Sequence, residues 1–301
     1  MLNSRWFLEF TNESEAALHS IEEVLYTSQT QYQRLEIFRL GKYGKALVLD
    51  GKMQSAQSDE FIYHESLVHP ALITHGEPRK VLIAGGGEGA TIREVLRYPT
   101  IESVTMVDLD EEVVEACKRL LPEWHEDTFD DPRVEVVYED ARAFIENSTV
   151  PYDIIILDLP EPMEEGPAIM LYTEEFYKNV YKHLSAEGIM VTQATTIAPH
   201  NLNSYRIIFN TISQVFPVVR GYYTFVPSFY TPWGFVLASK ASDPKSLTYD
   251  ELRERISRLN ASLGFYNEET HHGMFALPDY LKKALDEEKR VNRDSSPISF
   301  Y

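Results

Sequence analysis

One cysteine in 301 residues, Cys117, leaves no partner for an intramolecular disulfide. It sits inside the helical pattern from Glu111 to Leu120, where a buried structural thiol is expected rather than a nucleophile. Also missing is any apolar run near the ~20 residues that a membrane span needs. The first ten residues, Met1 to Phe10, lack the basic start, apolar stretch and small-residue cleavage site of a signal peptide. A reducing cytoplasm is the compartment these absences suggest. Positive charge is scarce as well: 28 Lys and Arg stand against 47 Asp and Glu, a net charge of -19. Such a chain repels phosphate backbones and anionic lipid, so neither nucleic acid nor a membrane is an expected partner, whereas small cations are attracted. No internal repeat or low-complexity segment is present.

What is there reads as an ordinary folding chain, 44% hydrophobic and 25% charged, long enough for about two domains. Within the first 60 residues, Gln33 to Leu40 and Lys45 to Leu49 alternate as short strands punctuated by Gly41, Gly44 and Asp50-Gly51, a small antiparallel sheet. Helical spacing follows from Asp59 to Leu72 and is broken at Gly76-Glu-Pro78. Beyond it, apolar strands at 81–84, 103–107, 134–138, 154–157 and 189–192 alternate with helix-length segments, which means a parallel sheet covered on both faces. Strands near 218–223 and 235–239 close that sheet as a hairpin. The expected division is 1–75, an N-terminal β-sheet domain with a connecting helix; 76–240, a Rossmann-like catalytic domain; and 241–301, a polar C-terminal extension with one amphipathic helix, 249–259.

The chemistry gathers at the carboxyl ends of the parallel strands. The first strand runs into Gly85-Gly-Gly-Glu-Gly-Ala90 and then a helix, so glycine backbone at Gly85 and Gly87 can approach a ligand at a helix N-terminus. Asp108 ends the next strand, where a carboxylate accepts ribose hydroxyls, and Asp140 follows the third, where an adenine amino group would lie. These residues alone leave nicotinamide binding open, but the acidic surroundings and the absence of a basic side chain near the loop until Arg93 favour a nucleoside without phosphate. The fourth strand ends in Asp158-Leu-Pro-Glu-Pro162, and Glu88 lies inside the glycine loop. Converging carboxylates repel one another unless a cation joins them, so the expected guest is an organic polyamine, with a metal ion the weaker option. His271 and His272 lack ligand spacing and read as surface residues.

These residues resemble the spermidine synthase family of polyamine aminopropyltransferases. The similarity runs from about Gln31 to Lys240 and is carried by Leu47-Val-Leu-Asp-Gly-Lys-Met-Gln54, Asp59-Glu-Phe-Ile-Tyr-His-Glu65, Gly85 to Gly89, Asp158 to Pro162, Gly166-Pro-Ala168 and Leu171 to Tyr177. Within it, Glu123-Trp-His125, Phe129 to Arg133 and Val226 to Phe229 are similar to a thermospermine or triamine/agmatine branch. The resemblance implies an α/β fold, a Rossmann-like, methyltransferase-type seven-stranded sheet with a small N-terminal antiparallel β domain. It implies transfer of the aminopropyl group of decarboxylated S-adenosylmethionine, a co-substrate, to an amine, with release of methylthioadenosine and no cofactor or bound metal. Gln33, Gln54, Asp108 and Asp140 would hold the nucleoside, and Glu88 with Asp158 the donor's ammonium. Tyr63, His64, Asp158, Glu161, Gln193 and Tyr230 would face the acceptor, with Asp158 as base and Tyr63 orienting the amine. A homodimer or homotetramer is implied.

Glu161 departs from the family's usual aspartate, which lengthens the carboxylate by one methylene. A methyltransferase must house a methionine carboxylate that Glu88 would repel, and methyltransferases with this sheet carry an acid where Ile83 stands. That reading and a non-catalytic polyamine-binding protein remain the alternatives. Tyr63 and His64 could instead serve the helix core, Gln193 could cap a helix, and the loop 160–172 could be either a gate or a static connection.

Overall fold

Glycine at the turns and period-two alternation between them produce a five-stranded antiparallel meander. Its strands are β1 (Arg5–Phe10), β2 (Ala16–Gln29), β3 (Arg34–Leu40), β4 (Gly44–Leu49) and β5 (Lys52–Ala56), hydrogen-bonded in that order. The computed structural model describes residues 5–11, 14–162 and 168–298. Asp50 and Gly51 both take positive φ, 48° and 73°, and Leu49 pairs with Lys52, the two-residue left-handed turn that suits strand twist. β3 and β4 are legible in the sequence. β2 is not, because Glu22-Glu23 and a run of Thr, Ser and Gln dilute its apolar positions, and its ladder to β3 shifts register twice.

α1 (Glu60–His75) leads from this sheet to the next and is buried along nearly its whole length, with Leu67, Val68, Ala71 and Leu72 fully enclosed. The alternating elements then run β6 (Lys80–Gly85), α2 (Ala90–Leu96), β7 (Ser103–Asp108), α3 (Glu111–Leu120), α4 (Pro122–His125), β8 (Val134–Tyr138), α5 (Ala141–Asn147) and β9 (Tyr152–Asp158). After them come α6 (Glu174–His183), β10 (Leu184–Thr196), α7 (Asn203–Ser213), β11 (Val218–Val226) and β12 (Thr231–Ser239). The seven strands lie in the order β11-β12-β10-β9-β6-β7-β8. The five from β8 to β10 are parallel, and the β11–β12 hairpin adds antiparallel strands beside β10. Ile154, Ile155, Ile156 and Leu157 are all fully buried, as a strand covered on both faces requires. The chain leaves β6 toward β7 on one side and returns to β9 on the other, so the strand order reverses between β6 and β9 and opens a crevice at their carboxyl ends.

Beyond Ser239 the structure corrects the expectation of a polar tail with one helix. α8 (Tyr249–Ser257), α9 (Glu268–Met274) and α10 (Asp279–Glu287) all pack on the seven-stranded unit, through Leu252, Met274 with Phe275, and Leu281. Each has only about two to two and a half turns with a narrow inward stripe, a pattern that average polarity conceals. His271 is likewise no surface residue: it is fully buried, with the Tyr266 hydroxyl 2.6 Å from Nδ1 and Nε2 2.9 Å from the Pro244 carbonyl. Burial lowers its pKa to about 4, so the ring stays neutral and spans the two partners. His272 remains partly exposed.

Candidate active site

The β6–β9 tip is where the glycine loop becomes indispensable. Gly85 has φ +79°, and a Cβ there would sit 2.1 Å from the Asp158 carbonyl oxygen. Only glycine lets β6 run this close to β9, and the Gly86 N–H then donates to that same oxygen at 3.1 Å. At Gly87 the close approach is to the neighbouring strand, since a Cβ would lie 2.9 Å from Asp108 Oδ2.

The loop floors a crevice of about 930 Å³ that also takes in Gln33, Gln54, Tyr63, Glu88, Asp108, Asp110, Asp140 and Asp158. All seven expected donor-binding residues therefore meet in one place. Asp108 is held by the Asp110 N–H at 2.9 Å, and burial, then the nearby acids Asp110, Glu88 and Asp158, lifts its pKa to about 6 despite that bond. Asp140 lines the crevice and at the same time caps α5, accepting from the Ala143 N–H at 2.8 Å. Asp110, which the sequence reading passes over, ties the two sheets together: its Oδ2 accepts from Thr30 Oγ1 at 2.6 Å and from Gln33 Nε2 at 3.1 Å. The signal for it was its place as N-cap of α3, where it accepts from the Glu112 N–H. Cys117 is buried nearby, and burial with the adjacent acids pushes its thiol well above the usual range, which makes it inert.

Asp158 is gripped from two sides, by the Tyr63 hydroxyl on Oδ1 at 2.8 Å and the Thr91 hydroxyl on Oδ2 at 2.5 Å. Burial first, and Glu88 next, raise its pKa, which strengthens it as a base. Tyr63 is pushed far the other way from ionisation, by burial and then by Asp158, so it acts only as a protonated hydroxyl. Thr91, the second residue of α2, was not anticipated.

A second crevice, of about 1560 Å³, meets the first at Gln54, Tyr63, Leu159 and Pro160. Glu161, Gln193, Phe229, Tyr230 and Trp233 line it from the catalytic unit, and Glu9, Glu15 and Met53 from the N-terminal sheet. Gln193 is aimed by a bulge in β10: Thr195 takes φ 69°, rare for a β-branched residue, and its N–H donates to Gln193 Oε1 at 2.9 Å. The other end of the Gln193 amide is engaged too, donating to the Leu159 carbonyl at 2.9 Å and the Tyr172 hydroxyl at 3.0 Å. Its polar atoms thus serve the scaffold, while its surface forms crevice wall. Tyr230, half-exposed at φ 56°, rests against Tyr43 and His19. Tyr172 and Tyr177 are fully buried packing residues. Gly166 and Pro167 of the loop 160–172 lie outside the described residues.

His64 is the expected site residue that the structure moves. It lines neither crevice and is fully buried one layer back, Nδ1 2.8 Å from Glu60 Oε2 and Nε2 3.3 Å from Glu88 Oε1. Burial lowers its pKa, but the two carboxylates outweigh burial and lift it to about 10. A charged His64 therefore holds Glu88 in place instead of touching an acceptor. Among the described residues no group of His, Cys, Asp and Glu is arranged to hold a metal ion, and no helix is long and apolar enough to cross a membrane.

Residues 60–249 match the spermine/spermidine synthase domain and residues 5–57 the spermidine synthase tetramerisation domain. The chain belongs to the spermine/spermidine synthase family. Its relatives include the polyamine aminopropyltransferase of Sulfurisphaera tokodaii, 43% identical over 300 residues and 99% of both chains. The polyamine aminopropyltransferase 2 of Hyperthermus butylicus is 47% identical over 98% of this chain and 96% of its own. Among solved structures, a spermidine synthase in complex with the transition-state analogue AdoDATO superposes with a TM-score of 0.89 at 33% identity, covering 96% of this chain and 98% of that one. The spermidine synthase of Thermotoga maritima gives 0.85 at 32% identity, covering 96% and 97%.

Proposed function

We propose that this member of the spermine/spermidine synthase family moves the aminopropyl group of decarboxylated S-adenosylmethionine onto an amine, the nucleoside in the first crevice and the acceptor in the second. The observation that carries the assignment is Asp158: a half-buried carboxylate of the first crevice, held by Thr91 and by Tyr63, and Tyr63 is one of the residues at which the two crevices meet. Glu88, Asp108 and Asp158 crowd one cavity, which raises the cost of ionising Asp108 and Asp158, and a cationic guest relieves it. The amine nitrogen must lose a proton before it attacks the carbon beside the sulfonium. Asp158 takes that proton, Tyr63 fixes the carboxylate that receives it, and methylthioadenosine leaves with the sulfur's electron pair. Nucleophile and leaving group held in line supply much of the remaining acceleration, and no covalent enzyme intermediate is involved.

The aromatic segment Phe229 to Trp233 lines the far crevice, and cations lie favourably on such faces. This supports a longer acceptor, spermidine or agmatine, over putrescine. Glu88 disfavours the carboxylated donor of a methyltransferase. The exposed side of β1 and β2, with Trp6, Leu8, Phe10 and Leu18, gives an apolar face for a second copy, in keeping with the family's tetramerisation domain. A homodimer or homotetramer working in a reducing cytoplasm, without cofactor and without nucleic-acid partners, fits the acidic chain and its single buried thiol. The test is a product assay with decarboxylated S-adenosylmethionine and putrescine, cadaverine, agmatine, spermidine and spermine in parallel. Methylthioadenosine release with the longer amines supports the proposal. Methyl transfer from the carboxylated donor, or binding without turnover, overturns it.

A further inference from the structure

The parallel sheet alone does not close the nucleoside half of the site. The turn between β2 and β3 reaches over its edge and puts Gln33 on the wall of the first crevice. That turn is wound on one hydroxyl. Thr30 Oγ1 accepts from the Tyr32 and Gln33 N–H groups, each at 3.1 Å, and donates to Asp110 Oδ2 at 2.6 Å. Asp110 is 3% exposed and Thr30 7%, so the bond between the two units is shielded from water. Leu35, Ile37 and Leu47 of the N-terminal sheet pack with Val113, Cys117 and Trp124 of the catalytic unit, which docks the turn as a fixed piece.

Both oxygens of Asp110 face donors from the protein. Oδ1 accepts from the Glu112 N–H at 3.2 Å and caps α3, while Oδ2 accepts from Thr30 and, at 3.1 Å, from Gln33 Nε2. The last bond has a direction. A carboxylate accepts, and a side-chain amide has one donating and one accepting end, so Asp110 takes the NH2 of Gln33 and leaves Oε1 for the crevice. Among the described residues no donor reaches Oε1. The crevice therefore holds a fixed acceptor here, besides Asp108, whose Oδ1 is held by the Asp110 N–H at 2.9 Å.

We propose that Asp110 is a positioning residue for the donor: it fixes the polarity of the Gln33 amide, so that Gln33 offers an oxygen and the nucleoside must answer with a hydroxyl or amino hydrogen. This inference rests on the reading of the first crevice as the nucleoside site and adds to it that docking of the N-terminal sheet is part of donor recognition. Asp110→Asn isolates the role. Asparagine caps a helix as well as aspartate does, its backbone N–H still serves Asp108, and the Thr30 hydroxyl has the Gln33 carbonyl 3.1 Å away as another acceptor. What changes is the group facing Gln33. An NH2 in place of an oxygen draws Oε1 back and swings the Gln33 NH2 into the crevice.

Calorimetry with methylthioadenosine and steady-state kinetics, both on the full-length protein, test the proposal. Asp110→Asn should weaken methylthioadenosine about tenfold or more and raise the donor KM in parallel, with acceptor KM and kcat within about twofold and the melting temperature little changed. Gln33→Leu should weaken binding as much, and adding Asp110→Asn to it should change affinity by less than about twofold, because Asp110 acts through Gln33. Gln33→Glu alone sets two carboxylates against each other and should lose about tenfold or more. Asp110→Asn should restore most of that loss, since its NH2 then donates to the new carboxylate and the second oxygen is left for the nucleoside. Overturning results are unchanged methylthioadenosine affinity in Asp110→Asn, full additivity with Gln33→Leu, or a Gln33→Glu protein that binds as the wild type does. Should Asp110→Asn fail to fold, Gln33→Glu decides alone: a side chain free to turn would let its carboxylate serve the nucleoside, and one fixed by Asp110 would not. If the wild-type protein does not bind methylthioadenosine, the reading of the first crevice fails and this inference with it. If it binds and the variants leave affinity unmoved, only this inference falls.

Discussion

The two crevices that meet at Tyr63 are built by different rules. The first is assembled from the tips of adjacent strands in one sheet: Gly85 and Gly87 after β6, Asp108 at the end of β7, Asp140 after β8, Asp158 at the end of β9. Parallel strands bring every such tip to the same edge, so linear order translates directly into spatial neighbourhood. The second is assembled across two sheets and a hairpin loop, from Glu9 on β1, Met53 on β5, Gln193 on β10, Phe229 and Tyr230 in the turn after β11, and Trp233 on β12. Its parts become neighbours where the two units pack together, with Asp59 accepting from the Ser228 N–H at 2.6 Å and Tyr43 donating to the Pro227 carbonyl at 3.3 Å. One crevice follows from topology, and the other from docking.

Changes in each crevice should therefore be separable, and the largest test lies at Asp158, on the first-crevice side of the boundary that Tyr63 marks. Asp158→Asn should lower kcat by ~10² to 10⁴, the worth of a positioned base, and leave methylthioadenosine affinity nearly unchanged. Rapid-mix product assays beside calorimetry check it, and near-normal turnover would remove Asp158 from the mechanism.

Next in size, Gly85→Ala should damage the first crevice through the fold. Its Cβ would strike the Asp158 carbonyl at 2.1 Å in a left-handed conformation, at a cost of at least about 1–3 kcal/mol. Thermal denaturation should show the drop, with donor affinity lost along with it.

Asp108→Asn should separate binding from stability. Donor affinity should weaken by about 1–3 kcal/mol, because ribose hydroxyls lose a charged acceptor. The unliganded protein should gain stability near neutral pH. The sign follows from the raised pKa: a carboxyl titrating at about 6 in the folded chain stabilises it fully only below the unfolded value of about 4, and that contribution is lost as pH rises through 6. Wild-type melting temperature should therefore fall from pH 5 to pH 7 by more than that of the variant. Activity should run the opposite way, rising with pH as Asp108 and Asp158 ionise and the acceptor amine sheds its proton.

The smallest effect belongs to the second crevice. Trp233→Ala should raise acceptor KM by about 2- to 30-fold, equivalent to ~0.5–2 kcal/mol of cation–aromatic contact, with donor KM unchanged. An equal rise in both constants would show that the crevices are not energetically separate.

Legibility follows the same line. Gly85, Asp108, Asp140 and Asp158 were readable because turn glycines and strand-end acids keep a fixed relation to the strands that carry them. Thr91 and Asp110 were not singled out, since a threonine in the first turn of a helix and an aspartate at an N-cap have ordinary structural roles at those places. His64 was misjudged because adjacency to Tyr63 in sequence rotates it by about 100° on a helix, away from the crevice and onto Glu88. Of the C-terminal helices, α8 was legible as an amphipathic segment, whereas α9 and α10 were hidden by their polarity, although Leu281 is completely enclosed.

The sequence by itself determined the parallel sheet, its glycine turn, the acids at its edge and the acidic field that selects a cationic guest, because each follows from local periodicity or composition. Only the tertiary structure decided that His64 backs Glu88, that Tyr63 and Thr91 share Asp158, and that Glu9 lines the second crevice. Those contacts join residues 24 to 95 positions apart or on separate sheets, and no local pattern encodes a partner that arrives only when two packed surfaces meet.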